Sequence, residues 1–159
     1  MASFRPVGFV RCDRPRLEET PIQALSNPVE EAVLEVLPEY SAALAGLSGF
    51  DYAWLLTHLH LHDGELGRAP TDEELRPVPF LLAGSGERQG LFATRYPVRP
   101  NPIGLILVRI LDVGERSVRF AGVDVVDGTP VLDVKPWVRR FDVPPGETRH
   151  GWYDRDDQR

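Results

Sequence analysis

The sequence has almost no cysteine, since Cys12 is the only one among its 159 residues. A disulfide within the chain and a zinc site built from several cysteines are therefore excluded, and a reducing compartment is the expected environment. No hydrophobic run reaches the length of a membrane span. The N-terminal region is rich in arginine, with Arg5, Arg11, Arg14 and Arg16, and does not have the pattern of a secretory leader. We therefore expect a cytoplasmic protein that does not bind membranes.

Lysine is equally scarce, because Lys135 is the single lysine among 18 basic residues. The 24 acidic residues outnumber the basic ones and give a net charge of −6, which argues against a protein that coats nucleic acid in bulk. A local basic patch remains compatible with this charge. The sequence also has no Gly-x-Gly-x-x-Gly, phosphate loop, Gly-x-Ser-x-Gly or Cys-x-x-Cys motif. A nucleotide ligand would have to be bound by other means.

Short apolar runs separated by turn residues predict a mainly β protein. We expect one domain over residues 1–159, with one short helix at 39–47, long loops at 13–28 and 65–88, and a C-terminal tail at 144–159. The predicted strands cover 6–11, 31–37, 50–60, 105–112, 116–125 and 130–138. Residues 105–112 and 116–125 have the pattern of a hairpin. The architecture predicted from these elements is a mostly antiparallel sheet or small β-barrel.

Three prolines stiffen the segment between Leu91 and Leu105. Pro97, Pro100 and Pro102 fix their own φ and favour extended geometry in the residues before them. Arg95 and Arg99 are therefore displayed on a rigid connection. This pattern is compatible with a ligand-binding loop and also with a rigid turn that carries two solvated cations.

Three histidines alternate with leucines at the end of a predicted strand. On a strand, His58, His60 and His62 would share one face, and Asp63 is the nearest candidate for a fourth zinc ligand. The alternative is a polar strand end in which one histidine lines a pocket. We favour this alternative and predict no metal.

An Asp-Gly turn is predicted at Asp127 and Gly128, shortly after Asp124. Such a turn exposes amides and hydroxyls to a ligand, although an ordinary hairpin has the same sequence pattern. The strand that follows places Asp133 and Lys135 on one face. These two side chains could serve a site or only form a salt bridge.

Three motifs in order resemble the TrmO family, also called YaeB or TsaA-like: Gly90-Leu-Phe-Ala-Thr-Arg95, Arg99-Pro-Asn-Pro-Ile-Gly104 and Asp124-Val-Val-Asp-Gly-Thr-Pro-Val-Leu-Asp-Val-Lys-Pro136. The resemblance implies a small β-barrel that binds S-adenosylmethionine without a Rossmann sheet. It also implies a homodimer with the cofactor site near the subunit interface. Family members methylate N6 of N6-threonylcarbamoyladenosine beside the anticodon of tRNA.

The resemblance also assigns roles to residues. A sulfonium donor and an acceptor nitrogen need alignment and a proton acceptor, for which Asp124 and Asp133 are the candidates. Arg99, Asn101 and Lys135 are the candidate substrate contacts. The residues implied for cofactor binding are Gln23, Ala24, Leu25, His60, Leu61, Arg95, Leu105, Val126, Asp127, Gly128 and Thr129. Two alternatives stay open: a methyltransferase with another acceptor, and a module that binds S-adenosylmethionine or a nucleotide without catalysis.

Overall fold

Six short strands close into an antiparallel barrel in the computed structural model, which describes residues 3–14, 28–67 and 69–155. Around the barrel the order is β1-β2-β5-β4-β3-β6, and β6 pairs with β1 to close the sheet. The predicted barrel is therefore confirmed. The strands are β1 (Gly8–Arg11), β2 (Glu31–Val36), β3 (Tyr52–His58), β4 (Ile103–Val113), β5 (Ser117–Ala121) and β6 (Pro130–Pro136).

Alternation of side chains along the strands separates the inside of the barrel from its outside, with one irregularity in the pairing of β3 with β6 and one in the pairing of β4 with β5. In β3, Ala53, Leu55 and Thr57 are buried, while their neighbours along the strand are only partly buried. The inward side chains form one core, in which Leu34 and Phe120 are almost completely buried. The burial of one face fixes the strand register, because a slip of one residue would turn every apolar side chain outward.

The predicted hairpin is confirmed as β4 and β5. These strands pair antiparallel, and the Gly114 amide donates to the Ser117 carbonyl at 2.8 Å across the turn. The second strand ends at Ala121, four residues before the predicted end. Gly122 follows with a φ of 93°, which takes the backbone out of the extended conformation.

The helix predicted over 39–47 is a 3₁₀ helix at Pro38–Leu44, followed by a single 3₁₀ turn at Leu47–Gly49. Gly46 separates the two with a φ of 85°, a left-handed conformation that no helix continues through. Leu44 and Leu47 still face the core, as the helical spacing required. The other described 3₁₀ turns are His60–His62, Phe80–Leu82, Leu91–Ala93 and Gly151–Asp154, and α1 (Arg139–Asp142) is a single helical turn.

The barrel unit comprises residues 1–65 and 97–137, and a second compact unit comprises residues 66–96 and 138–159. The second unit has little regular structure. In its Thr71–Glu74 turn, the Glu74 amide donates to Thr71 Oγ1 at 3.2 Å, and the Thr71 amide donates to the Glu74 carboxylate at 2.7 Å. This reciprocal pair is a capping box. Leu82, Leu91 and Trp152 are buried apolar side chains of this second unit.

Within the described ranges, no helix has both the length and the apolar character that crossing a bilayer requires.

Candidate functional site

The end of β3 brings together the segments that carry the predicted site residues of the barrel unit. Thr57 pairs with Gly104 at the start of β4 and with Val131 at the start of β6. The Leu59 amide donates to the Pro102 carbonyl at 2.7 Å, so the chain after β3 lies against the chain before β4. Three of the predicted segments therefore converge at one end of the barrel: residues 59–62, residues 99–105 and the turn that precedes β6.

Gly104 is required by the close approach of β3 at this end. A Cβ atom at residue 104 would lie 2.3 Å from Thr57 Oγ1 and 3.1 Å from Leu59 Cδ2. Thr57 is fully buried, and its hydroxyl has no hydrogen-bond partner within the described part of the chain. No sequence pattern singles out Thr57, because threonine is a common residue in apolar strands.

The three histidines do not share a strand face, so that expectation is wrong. β3 ends at His58, since Leu59 has a ψ of 63° and His60–His62 forms a 3₁₀ turn. His58 Nε2 donates to Asp63 Oδ1 at 2.7 Å, which stabilises the turn. Among the described residues, no group of three or more His, Cys, Asp or Glu side chains is arranged to hold a metal ion. Leu61, in the centre of the turn, is 46% exposed.

The turn at residues 126–129 precedes β6 and is not a simple hairpin. β5 pairs with β2 and β4, whereas β6 pairs with β1 and β3, so the turn joins strands that are not neighbours. Gly128 has a φ of 77°, which favours glycine there. The Gly128 amide donates to the Val10 carbonyl at 2.8 Å, and the Val10 amide donates to the Thr129 carbonyl at 2.9 Å. The end of β1 thus fixes the turn.

The polar groups of this turn are largely used within the protein. The Asp127 amide donates to the Arg14 carbonyl at 2.8 Å, and the Thr129 amide donates to the Val126 carbonyl at 3.2 Å. Thr129 is buried, and its hydroxyl also donates to the Val126 carbonyl at 2.7 Å. The exposed side chain of Asp127 accepts from the Cys12 amide at 3.1 Å. The turn therefore presents a fixed shape and a carboxylate rather than a row of unused amides.

A buried arginine that the sequence analysis did not single out supports the same turn. The side chain of Arg14 is only 6% exposed and forms an ion pair with Glu30. Arg14 Nη1 donates to the Val123 carbonyl at 3.0 Å, and the Gly122 amide donates to the Glu30 carbonyl at 3.0 Å. No sequence spacing indicates this pair, because Arg14 and Val123 are 109 residues apart in the chain. Through these hydrogen bonds, Arg14 and Glu30 hold the chain at residues 122–127 in place.

Leu105 and Asp133 lie on the outer side of the barrel on either side of Leu56, which pairs with both. Leu105 is 56% exposed. Asp133 Oδ2 accepts a hydrogen bond from Lys135 Nζ at 2.8 Å, so the salt bridge considered from the sequence is present. This hydrogen bond raises the pKa of Lys135. Asp124 is half-buried, and one of its carboxylate oxygens is inaccessible to solvent.

The remaining predicted residues fall into three places. Arg99 is half-buried and Asn101 is exposed in the segment before β4, where the Ile103 amide donates to the Asn101 carbonyl at 2.8 Å. Arg95 is exposed in the second unit. Its turn is held by Thr94, whose buried hydroxyl donates to the Leu91 carbonyl at 2.8 Å. Gln23, Ala24 and Leu25 lie outside the described residues.

A shallow depression of about 420 Å³ adjoins the turn at residues 126–129, and Asp127 is the only predicted site residue in its lining. Its two arginines are already in ion pairs, Arg11 with Glu35 and Arg119 with Glu31. The glutamates neutralise the positive charge, so the depression has no surplus of cations for an anionic ligand.

The fold and its site define a small antiparallel barrel whose candidate ligand-binding loops gather at one end, a class distinct from the doubly wound nucleotide-binding folds. A family model described as the tRNA-methyltransferase O N-terminal domain matches residues 9–143, and the chain belongs to this family. The predicted resemblance is confirmed.

Similarity to individual proteins supports the family assignment. A probable S-adenosyl-L-methionine-binding protein of Pyrococcus abyssi is 36% identical over 98% of this chain and 78% of its own length. A tRNA (adenine(37)-N6)-methyltransferase of Mus musculus is 34% identical over 91% of this chain and 33% of its own length. The crystal structure of TrmO from Pseudomonas aeruginosa matches with a TM-score of 0.73 and 33% identity. That match covers 95% of this chain, which spans 62% of the solved chain.

Proposed function

We propose that this chain is an S-adenosylmethionine-dependent methyltransferase that methylates N6 of N6-threonylcarbamoyladenosine beside the anticodon of tRNA. The observation that carries this proposal is the convergence at the end of β3, where Thr57 pairs with both Gly104 and Val131. Family membership and the activity for which the mouse relative is named support the choice of reaction.

The residues at this end fit the chemistry of S-adenosylmethionine. The ligand combines an apolar adenine face with a carboxylate, an ammonium and a sulfonium centre. Leu61 and Leu105 offer exposed apolar surface, at 46% and 56% exposure. Asp127 offers a carboxylate for the cationic groups, and the half-buried Arg99, in the segment before β4, offers a guanidinium for the carboxylate of the ligand. Pockets for such ligands combine apolar walls with a few placed polar groups.

Bound S-adenosylmethionine supplies an electrophilic methyl group. The chain must hold the acceptor nitrogen in line with that methyl group, exclude water and receive the proton that N6 loses. We assign the proton to the Asp133 carboxylate, because its side chain is 47% exposed and reachable. Asp124 is the less suitable acceptor, since one of its oxygens is closed to solvent. Lys135 Nζ, which donates to Asp133 Oδ2 at 2.8 Å, would keep the carboxylate in a fixed orientation.

We also propose that the enzyme is a cytoplasmic homodimer. The outer face of β3 and β4 carries cross-strand apolar pairs, Leu56 with Leu105 and Trp54 with Leu107, and Ile103 at its edge is 42% exposed. A contiguous apolar face of this kind favours contact with another subunit. Ile103→Asp should convert the dimer to a monomer in light scattering after size exclusion, whereas Val29→Asp, at a residue that is 83% exposed, should not. A monomeric wild-type protein would contradict this part of the proposal.

The reaction is tested by mass analysis of tRNA nucleosides after incubation with the full chain and S-adenosylmethionine. A methylated N6-threonylcarbamoyladenosine is the expected product. Asp133→Asn should lower kcat about 100-fold or more, as expected for loss of a proton acceptor, while the exposed control Asp112→Asn should not. Cofactor binding without methylation of any nucleoside would contradict the enzyme and favour a binding module.

A further inference from the structure

Exposed aromatic rings are concentrated in the second unit. This unit comprises residues 66–96 and 138–159, about a third of the chain. Among the described residues, seven aromatic side chains are substantially exposed, and five of them belong to this unit: Phe80, Phe92, Tyr96, Phe141 and Tyr153. Large exposed apolar groups that cluster usually mark an interaction surface.

Four of the aromatic residues in this unit lie on two segments that a hydrogen bond joins, and we call these four residues the aromatic platform: Phe92, Tyr96, Trp152 and Tyr153. Trp152 is its buried centre, and its Nε1 donates to the Ala93 carbonyl at 2.8 Å. This hydrogen bond places the indole beside the segment that carries Phe92, which is 84% exposed, and Tyr96, which is 38% exposed. The platform is therefore assembled from two segments that are far apart in the sequence.

The platform already contains one ring stack. The rings of Trp152 and Tyr153 lie 3.8 Å apart with an interplanar angle of 26°. Tyr153 is nevertheless 40% exposed. Because the indole covers one face of this ring, the exposure comes from the opposite face and the edge. A third flat ring can extend the stack there.

The second unit repels a polyanionic partner less than the barrel unit does. Its nine arginines balance its nine carboxylates, whereas the barrel unit carries the whole net charge of −6. A nucleic acid is repelled by a net negative surface and is repelled less by a neutral one.

We propose that the aromatic platform binds unpaired bases of the RNA substrate by stacking, a role that rests on the proposed function in tRNA modification. Every base has a flat π face, so aromatic rings bind single-stranded RNA without reading its sequence. In a duplex the same faces are covered by neighbouring base pairs, and loops and bulges are where bases become available. The occupant is therefore a single-stranded loop and not a helical stem.

The test measures the affinity of the full chain for a fluorescein-labelled RNA hairpin with the sequence of a tRNA anticodon stem and loop. Tyr153→Leu and Phe92→Leu remove a π face while keeping apolar bulk, and both rings are exposed, so folding should be preserved. Each should weaken binding about 5- to 100-fold, the range expected for loss of one stacked base. Phe50→Leu is the matched control, because Phe50 is an exposed aromatic residue of the barrel unit.

A fully paired duplex of equal length distinguishes stacking from general attraction to phosphates. The two platform variants should leave the weak binding of this duplex unchanged. Equal affinities of the variants and the wild type for the hairpin would overturn the platform, and the proposed function would stand if the wild type still methylated tRNA. If the wild type neither bound the hairpin nor methylated tRNA, the platform and the proposed function would both be wrong. Calorimetric binding of S-adenosylmethionine then reports whether the cofactor site survives.

Discussion

The ion pair between Arg14 and Glu30 gives the sharpest test of how the barrel end is held. The Arg14 side chain is 6% exposed and the Glu30 side chain is 32% exposed, so Glu30→Gln removes the negative charge that pairs with a desolvated guanidinium and keeps a side-chain oxygen that can still accept a hydrogen bond. Breaking a fully buried pair costs about 3 to 5 kcal/mol. Water reaches Glu30, so we expect about 2 to 3 kcal/mol of destabilisation. For a chain of 159 residues this corresponds to a Tm lower by about 4 to 12 °C.

Glu31→Gln is the matched control, one residue further along the chain. Glu31 pairs with Arg119 at 2.8 Å, and both side chains are about half exposed, at 52% and 48%. An exposed pair of this kind contributes about 0.5 kcal/mol or less. Urea denaturation followed by circular dichroism, with a common m-value, compares the two variants directly.

A double variant separates the buried charge from lost packing. Arg14→Met together with Glu30→Gln removes the desolvated guanidinium. The double variant should therefore be more stable than the single variant Glu30→Gln. If Glu30→Gln and Glu31→Gln lost the same free energy of unfolding, Arg14 would not carry a desolvated charge. If the double variant were the least stable of all, the shape of the arginine side chain rather than its charge would support the turn.

Three further predictions concern single residues. Arg95→Ala should weaken S-adenosylmethionine binding by about 1.5 to 3 kcal/mol in calorimetry with an unchanged melting temperature, and Arg76→Ala, an exposed arginine of the same unit, should not. Gly104→Ala should destabilise the barrel by about 1 to 3 kcal/mol, because its Cβ would lie 2.3 Å from Thr57 Oγ1; an unchanged unfolding midpoint would contradict this. Burial raises the pKa of Cys12, so a thiol reagent at pH 8 should label the folded chain more slowly than the unfolded one. The folded chain holds this proton more tightly, so this residue's contribution to stability should fall as the pH rises past the unfolded pKa.

The barrel could be predicted from the sequence because its signals are local. Alternating apolar residues in β3 and the short Gly114 turn between β4 and β5 need no distant partner to be recognised. The prediction failed where the same alternation continued after the backbone had turned. His60 and His62 alternate with leucines as in a strand, yet they lie in a 3₁₀ turn closed by hydrogen bonds between residues a few positions apart.

The site was predicted only in part, because short motifs can be recognised in the sequence whereas contacts between distant residues cannot. The segments around Arg99 and Gly128 stand out through their own prolines and glycines. Arg14 and Thr57 do not, since each acts through neighbours that only the folded barrel supplies: the Val123 carbonyl for Arg14, and the backbone of Gly104 for Thr57. Residues that hold a turn in place through long-range contacts have no local sequence pattern and are found only from the structure.

One irregularity in β6 explains how the barrel combines a packed interior with a reactive exterior at this end. Leu56 pairs with Asp133, but the next residue, Thr57, pairs with Val131, so Leu132 is an extra residue in the ladder. In an unbroken strand Asp133 and Val131 would face the same side. The bulge lets Val131 stay completely buried in the core while Asp133 remains outside, beside Leu56 of β3. The carboxylate to which we assign the proton is thus exposed at no cost to the core directly beneath it.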